Sequence, residues 1–350
     1  MNELDRIVQF FEDMSARELR TGLATVVKTE GPSYRSPGSR SLICENGTYV
    51  GGLSAGCLEA DIACRLDGAK YPFMVSYDLS SADDVRGFPF GCGGNVQIHV
   101  EPIRCPAQLD FVRWVNGTDE PAVLVTPIRG GEDANGVHFA TTHSGNAFGR
   151  LLWHAQIDAC IQTAFSSKTS RCVRLEDGVE LFIEYFEPPV HVTIFGDGED
   201  ALALAELGES VGMSVERFSR RDLRSDQRLP LKRNAFFVVM THDLNLDTTA
   251  VGLAISTSPR YLGIMGPRSR TERLYALLTD EERRMAEEME IHAPIGLDMA
   301  AETPREIALS IASEIQTIAR GRKPAHLCHG LGAIHDRGPV VEDIKTVGRR

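Results

Sequence analysis

A chain of 350 residues, 42% hydrophobic and 25% charged, has the composition of a folded globular protein, and its length favours two domains. The net charge of −12 disfavours nucleic-acid binding, because neutralising phosphates needs clustered Lys and Arg. No apolar run approaches the roughly 20 residues that span a bilayer. The acidic start of the chain does not resemble a secretory signal. We therefore expect a cytoplasmic protein that binds neither nucleic acid nor membrane.

The first 187 residues mix helices and strands and are predicted to form one α+β domain. The predicted elements are a helix at 4–14, a strand at 22–29, a hairpin of 42–44 and 48–50 around Asn46-Gly47, a helix from the glycine-rich stretch at 51–59 to about 66, strands at 73–79 and 96–103, a helix at 110–115, a strand at 122–125, a helix at 153–164 and a hairpin around 176–178. Glu187-Pro188-Pro189 breaks the pattern and marks the domain boundary.

Strands and helices alternate beyond this boundary, which predicts a Rossmann-like domain with a parallel sheet at residues 190–321. The predicted strands are 191–195, 214–218, 236–240 and 261–265, and the predicted helices are 201–209, 247–256 and 271–278. A last long helix begins at Thr303-Pro304-Arg305-Glu306, which has the spacing of a capping box. Residues 322–350 are predicted to be an irregular tail. The expected fold class is α/β, an α+β domain followed by a Rossmann-like domain.

A glycine turn opens the Rossmann-like domain. Gly196 and Gly198 follow a predicted buried strand, and Ala201 completes a dinucleotide fingerprint whose helix N-terminus favours a phosphate. Ser219 and Arg220 stand where NAD-binding proteins carry an acidic residue, which favours NADP or another nucleotide. Three carboxylates around the turn would repel a pyrophosphate, so a Rossmann scaffold without its dinucleotide is the alternative.

Other candidates follow two further strands of the predicted parallel sheet, where ligands of open α/β sheets bind. Thr241 and His242 come after the third strand, and His242 serves either as a ligand-facing donor or base or as a cap for the next segment. Gly266, Arg268 and Arg270 come after the fourth strand.

The sequence resembles the XdhC/CoxI family, the accessory proteins of xanthine dehydrogenase and related molybdenum hydroxylases. The likeness rests on segments that occur in the expected order between about residues 22 and 320: Ala24-Thr25-Val26-Val27, Pro37-Gly38-Ser39-Arg40, Ser54-Ala55-Gly56-Cys57-Leu58-Glu59, Gly91-Cys92-Gly93-Gly94, Thr241-His242-Asp243, Tyr261-Leu262-Gly263-Ile264-Met265-Gly266, Pro294-Ile295-Gly296-Leu297-Asp298 and Ala301-Glu302-Thr303-Pro304-Arg305-Glu306-Ile307-Ala308. The sequence departs from the family at Ala55, Ser219 and Pro267, where Gly, Asp and Ser are usual.

The resemblance implies a protein that carries the molybdenum cofactor (molybdopterin) as cargo, supports its sulfuration and delivers it to a molybdenum hydroxylase apoenzyme. It further implies a cysteine desulfurase-type sulfur donor as a partner, a homodimer, and a chaperone more than an enzyme. Two alternatives from other classes are an NADP-dependent oxidoreductase and a ligand-free scaffold between a sulfurtransferase and the dehydrogenase.

Eight cysteines without a CxxC pair indicate reduced thiols. Cys57 follows Gly56 at a predicted helix start, where the helix dipole favours a thiolate that holds a soft metal or a transferred sulfur atom. Cys92 lies between Gly91 and Gly93, whose backbone allows close approach of a ligand. The alternative for both thiols is a packing role, and Cys64 is predicted to be a core residue.

Three charged side chains of the N-terminal domain complete the candidate set. Glu59 either caps the helix start or carries a proton. Arg35 and Arg40 flank Pro37-Gly38 and either supply positive charge for a pterin phosphate or lie in a solvated loop.

The spacing of His326, Cys328, His329 and His335 fits no standard zinc pattern, so no metal site is predicted.

Overall fold

The computed structural model describes residues 3–31, 33–54, 56–79, 94–130, 138–149, 155–225, 228–329 and 342–343. The chain divides into two compact units between Pro188 and Pro189. Among the described residues, the N-terminal unit comprises Glu3–Pro188 with Glu342–Asp343, and the C-terminal unit is Pro189–His329. None of the helices in the described ranges combines the length and apolar character that a bilayer crossing requires.

The N-terminal unit contains two sheets, with α2 and α4 on their outer faces and α1 and α3 packed in a core cluster shared by both sheets. Its helices are α1 (Glu3–Ser15), α2 (Cys57–Arg65), α3 (Asp110–Gly117) and α4 (Ala155–Ser167), with a 3-10 turn at Pro106–Leu109. Sheet A has the order β3 (Tyr49–Gly51), β2 (Arg40–Cys44), β1 (Thr21–Glu30), β5 (Asn95–Ile103), β4 (Phe73–Asp78). Sheet B has the order β16 (Glu342–Asp343), β9 (Arg171–Arg174), β10 (Glu180–Phe186), β6 (Ala122–Arg129), β7 (Phe139–Thr142), β8 (Ala147–Phe148). All pairs are antiparallel except β16 with β9.

These elements stack in the order α2, sheet A, sheet B, α4. Successive side chains of a strand point to opposite faces, so each sheet can bury both faces. In β2, Ile43 packs with Leu58 and Ile62 of α2, whereas its neighbour Leu42 packs with Leu124 of sheet B. The outer face of sheet B is covered by a cluster from α4: Ile157, Cys160, Ile161 and Ala164. Sheet A is therefore enclosed between α2 and sheet B.

A group of buried charges lies between the two sheets. The Arg40 guanidinium of β2 binds both carboxylate oxygens of Glu184 in β10, and the two side chains are 8% and 6% exposed. Nearby, His138 Nε2 lies 3.1 Å from Glu101 Oε1, while its Nδ1 lies 3.0 Å from the Thr126 hydroxyl. Because unpaired buried charges are strongly unfavourable, these contacts hold the two sheets in one arrangement.

The C-terminal unit is built on a parallel sheet, sheet C. Its order is β12 (Ser214–Phe218), β11 (His191–Phe195), β13 (Phe236–Val239), β14 (Tyr261–Ile264), β15 (Ile291–His292). Helices α5 (Glu199–Ser210) and α10 (Pro304–Ala319) contribute to the core on one face, and α6 (Arg220–Leu223), α7 (Leu244–Ile255), α8 (Arg268–Leu277) and α9 (Asp280–Glu287) to the core on the other. A short 3-10 helix at Leu327–His329 follows. The predicted Rossmann-like parallel sheet is confirmed.

Helix α10 is tied to sheet C through the buried carboxylate of Glu314. This carboxylate accepts hydrogen bonds from the Tyr261 hydroxyl at 2.5 Å and the Gly296 amide at 2.9 Å, and it lies 3.1 Å from Nδ1 of His292. Burial opposes ionisation of Glu314, but the hydrogen bonds from His292 and Tyr261 outweigh it and lower its pKa.

Several elements differ from the sequence prediction. Helices α6 and α9 and strands β7, β8 and β15 were not predicted, and β6 is longer than expected at Ala122–Arg129. The tail was predicted to be irregular, yet Glu342–Asp343 pairs with β9. The short strands contain too few residues for an alternating pattern to stand out. Helix α9 did carry a signal, because Thr279 and Glu282 form a capping box.

The buried ion pair provides a stability test. Replacing Arg40 with Met leaves Glu184 buried without its cation, so we expect the N-terminal unit to lose about 3–5 kcal/mol. The double change Arg40→Met with Glu184→Leu restores much of this loss, because no charge is then left unpaired. Both tryptophans of the sequence, Trp114 and Trp153, precede residue 189, so urea unfolding followed by tryptophan fluorescence reports on the N-terminal part of the chain. Equal losses in the single and double variants would contradict this account.

The same buried group predicts acid sensitivity. Burial opposes ionisation of Glu101, but the charge and hydrogen bond of His138 lower its pKa to about 2 from 4.5. This carboxylate therefore contributes stability above pH 4.5 that is lost as the pH falls toward 2. Burial lowers the pKa of His99 from 6.5, so the folded protein favours the neutral imidazole. The free energy of unfolding therefore decreases as the pH falls below 6.5 and His99 would be protonated in the unfolded chain. We expect unfolding free energy to decline from pH 7 to 3, and Glu101→Gln to flatten the decline below pH 4.5 while costing stability at pH 7. A parallel decline in wild type and variant would refute the assignment.

Candidate functional site

The start of α2 presents a thiol to solvent. Gly56 precedes the helix with φ of 110°, a left-handed conformation that glycine adopts without strain. Leu58 and Ile62 of α2 are buried against sheet A, and Cys57, on another side of the helix, is exposed. The packing role considered for Cys57 is therefore not what the structure shows. Cys64 is also exposed, so its prediction as a core residue was wrong.

Glu59 is completely buried beside this turn. Its carboxylate accepts hydrogen bonds from the Ser54 hydroxyl at 2.5 Å and from the amides of Leu53 and Ser54 at 2.7 and 3.0 Å. Burial opposes ionisation, but these hydrogen bonds, with that of the Ser54 side chain the largest, lower the pKa of Glu59. Of the two roles considered for Glu59, this geometry favours the structural one over proton transfer.

Of the two candidate arginines, Arg40 does not join Cys57. Arg40 points from β2 toward sheet B, on the face of sheet A opposite α2, where Glu184 binds its guanidinium. The predicted phosphate-binding role of Arg40 therefore competes with a buried ion pair. Arg35 is half-buried in the segment before β2. The glycine loop with Gly91, Cys92 and Gly93 lies outside the described residues, so the ligand-binding role of Cys92 stays a prediction.

The glycine turn of the C-terminal unit has the local geometry that its motif predicts. Gly196 follows β11 with φ of 155°, and a Cβ there would lie 2.7 Å from the carbonyl oxygen of Met240. Gly198 is open, since the nearest atoms to a Cβ would be those of the His242 ring, 3.9 Å away. Ala201 is buried in the core against α10. Gly196 is thus required by the fold, whereas Gly198 leaves space above the N-terminus of α5.

The residues predicted to favour NADP have partners within the protein. The Ser219 hydroxyl donates to Asp222 Oδ2 at 2.7 Å and accepts from the Asp222 amide, which caps α6. Arg220 Nε donates to Asp197 Oδ1 at 2.7 Å. A 2′-phosphate would have to displace both interactions, and NADP finds no support in the comparisons described below.

The residues that follow β13 and β14 lie at the same edge of sheet C as the glycine turn after β11. The His242 side chain is 57% exposed, and its Nε2 lies 3.5 Å from Asp200 Oδ2 at the start of α5. Thr241 is buried and donates its amide and hydroxyl protons to Asp247, which also binds Arg270 at 2.6 Å. Thr241 therefore serves the packing of α7, while His242 keeps an accessible ring.

Gly266 and Arg268 lie where β14 passes into α8. Gly266 follows the strand with φ of 129°, and Arg268, the first residue of α8, is exposed. Ser54 and Asp247 were not singled out from the sequence, and Arg270, predicted with Arg268 to face a ligand, instead binds Asp247. Asp247 and Arg270 lie 23 residues apart and carry no spacing signal, whereas Ser54 lay within the motif that contains Glu59.

The described residues contain no group of three His, Cys, Asp or Glu side chains placed to hold a metal ion. His326, Cys328 and His329 are exposed at the last 3-10 helix, and His335 lies outside the described ranges.

The fold and these residues define a class: a two-unit protein that combines an N-terminal unit with an exposed thiol and a Rossmann-type C-terminal unit. The family model described as "XdhC Rossmann domain" matches residues 192–315, and the model described as "XdhC and CoxI family" matches residues 15–69. The chain belongs to the XdhC/CoxI family.

Curated relatives and a solved structure are similar over most of the chain. A Bacillus subtilis protein, named as a probable subunit of xanthine dehydrogenase, is 28% identical over 84% of this chain and 91% of its own length. The "Molybdenum cofactor insertion chaperone PaoD" of Escherichia coli is 24% identical over 85% of this chain and 82% of its own length. A crystal structure described as a xanthine dehydrogenase from Bacillus halodurans is 25% identical, with a TM-score of 0.67, over 91% of this chain and 96% of that chain.

The two glycines of the turn make a matched pair of variants. Gly196→Ala forces a left-handed alanine against the Met240 carbonyl, so we expect a loss of about 2 kcal/mol or more. Gly198→Ala meets no close atom and should change stability by less than about 0.5 kcal/mol. Hydrogen exchange of peptides from 189–329, read by mass spectrometry, measures this unit separately. Equal protection in the two variants would show that the turn does not constrain β11.

Proposed function

We propose that this protein is an accessory protein for a molybdenum hydroxylase of the xanthine dehydrogenase type, and that it binds the molybdenum cofactor as cargo for insertion into the apoenzyme. Family membership supports this proposal, as do the names of the two relatives that align along most of the chain. The observation that carries it in this chain is the exposed thiol of Cys57 at the start of α2, within the matched segment 15–69.

Cys57 suits this cargo chemically. A thiolate is a soft ligand for a transition metal, and a helix N-terminus favours negative charge on a side chain beside it. The same thiol can hold a sulfur atom during sulfuration. A cysteine desulfurase-type protein as the sulfur donor, transfer to the apoenzyme and a homodimer belong to the proposal through the family resemblance.

The carboxyl edge of sheet C is the second candidate region. Ligands of open α/β sheets bind at this edge, and here it carries the open Gly198, the accessible ring of His242, and Gly266 with the exposed Arg268. Arg268 supplies a positive charge suited to the phosphate of the cargo. We assign no catalytic step to these residues, since the proposed role is binding and transfer.

A pair of cysteine variants on one helix tests the proposal. Cys57→Ser should lower the molybdenum and pterin that co-purify with the protein by roughly tenfold or more, because loss of a ligand weakens a metal site at least as much as loss of its supporting contacts. Cys64→Ser is the matched control, since Cys64 is exposed seven residues later on α2. Elemental mass spectrometry counts the molybdenum, and fluorescence of the oxidised pterin counts the cofactor.

Three other results would overturn the proposal in different ways. Wild-type protein that carries no pterin but captures both the sulfur donor and the apoenzyme would indicate a ligand-free scaffold. Saturable binding of NADPH in place of pterin would indicate an oxidoreductase. Equal cofactor content in Cys57→Ser, Cys64→Ser and wild type would remove Cys57 from the site.

A further inference from the structure

A loop at the carboxyl edge of sheet C is attached to helix α10 by a carboxylate. The loop, residues 293–303, joins β15 to α10. Its Gly296 amide donates a hydrogen bond to Glu314 Oε2 at 2.9 Å. Its Ile295 amide donates to the carbonyl of Ile264, the last residue of β14. The loop therefore borders the strand ends that form the second candidate region of the proposed function.

The Glu314 carboxylate is enclosed by the groups that bind it, and the residue is 8% exposed. Its Oε2 also accepts from the Tyr261 hydroxyl at 2.5 Å, and its Oε1 lies 3.1 Å from Nδ1 of His292. The rings of His292 and Tyr261 are stacked, with centroids 4.7 Å apart. Of these three partners, the imidazole of His292 is the one that can carry a positive charge, because a tyrosine hydroxyl and a backbone amide are neutral donors.

The protonation state of His292 decides how strongly the carboxylate is bound. A protonated imidazole donates from both ring nitrogens, and its charge balances that of Glu314. A neutral imidazole has one N–H group. If this group is at Nδ1, the hydrogen bond to Glu314 loses the contribution of the charge, and if it is at Nε2, a lone pair of Nδ1 faces the carboxylate. Loss of the proton therefore weakens the attachment of α10 to β15 and to the loop.

Three titratable groups surround His292: Glu314 on α10, Tyr261 on β14 and Glu290 immediately before β15. The hydrogen bond with Glu314, supported by the charges of Glu314 and Glu290, raises the pKa of His292 above 6.5 although burial opposes this. Burial and the contact with Glu314 raise the pKa of Tyr261, so its hydroxyl keeps its proton near neutral pH. The stabilisation from His292 is therefore complete below pH 6.5 and is lost as the pH rises through its raised pKa.

We propose that His292 and Glu314 form a pH-sensitive latch, which holds the loop 293–303 at the carboxyl edge of sheet C while His292 is protonated and loosens the loop when the proton is lost. The consequence for a cargo at this edge rests on the proposed function, whereas the loosening of the loop does not.

Hydrogen exchange of the full-length wild-type protein tests the latch. Mass spectrometry follows peptides that cover 293–303 between about pH 5.5 and pH 9, with correction for the intrinsic pH dependence of amide exchange. We expect protection of the loop to fall roughly fivefold over this range, since a charge-assisted hydrogen bond is about twice as strong as a neutral one. Peptides from 244–255 in α7, on the other face of sheet C, should keep their protection. Protection of the loop that does not change with pH, or an equal fall in both regions, would overturn the latch.

Two variants and a matched control assign the effect to this pair. His292→Gln and Glu314→Gln each remove one of the two titrating groups, so the pH dependence of loop protection should disappear in both. His191→Gln is the control, because His191 Nε2 lies 3.7 Å from Glu216 in the same unit, and it should keep the wild-type pH dependence of the loop. A fall in protection that persists in His292→Gln would assign the titration to another group. The wild-type measurement is decisive even where a variant does not fold.

Loop protection is measured with or without bound cofactor, so the latch and the proposed function fail separately. Wild-type protein that carries no pterin but loosens its loop as the pH rises would contradict the proposed function and support the latch. Protein that carries the cofactor but shows no pH dependence of loop protection would contradict the latch alone. Faster release of the cofactor at pH 9 than at pH 6 in wild type, and equal rates in His292→Gln, would support both.

Discussion

The Arg40–Glu184 ion pair lies buried between sheets A and B and joins side chains 144 residues apart in the chain. Removing one partner of such a pair leaves an uncompensated charge, so the pair favours one arrangement of the two sheets that carry it. With Arg40 directed toward sheet B, the alternation of side chains along β2 sends Ile43 to the opposite face. That face receives the apolar side of α2. The ion pair and the helix that carries Cys57 thus lie on opposite faces of sheet A.

The N-terminal unit then combines a buried polar centre with an exposed thiol. Leu58 and Ile62 anchor α2 to sheet A, and the hydrogen bonds of Ser54 and Glu59 order its first turn. Cys57, the first residue of α2, is left exposed on this restrained turn. An exposed thiol on an ordered backbone is compatible with the proposed role in binding a cargo.

The C-terminal unit has a Rossmann fold, yet charged residues at its ligand-binding edge interact with one another. Its parallel sheet and its turn at Gly196 follow the Rossmann pattern. The carboxylates around the sheet edge, however, interact within the protein: Asp197 with Arg220, and Asp247 with Arg270. Function must therefore be argued from the residues at the edge and not from the fold. His242 and Arg268 are exposed candidates there, and Arg220 is exposed as well but binds Asp197.

Local features of this protein could be predicted from its sequence because their causes lie within a few residues. The Asn46-Gly47 turn, the start of α10 at its capping box and the helix after Gly56 follow from backbone preferences and short-range hydrogen bonds. The tertiary structure decided which face each side chain occupies. Arg40 was predicted for a phosphate and Cys64 for the core, yet the first binds Glu184 and the second is exposed. Both outcomes depend on partners distant in the chain, and a local sequence pattern contains no information about which distant segment will cover it.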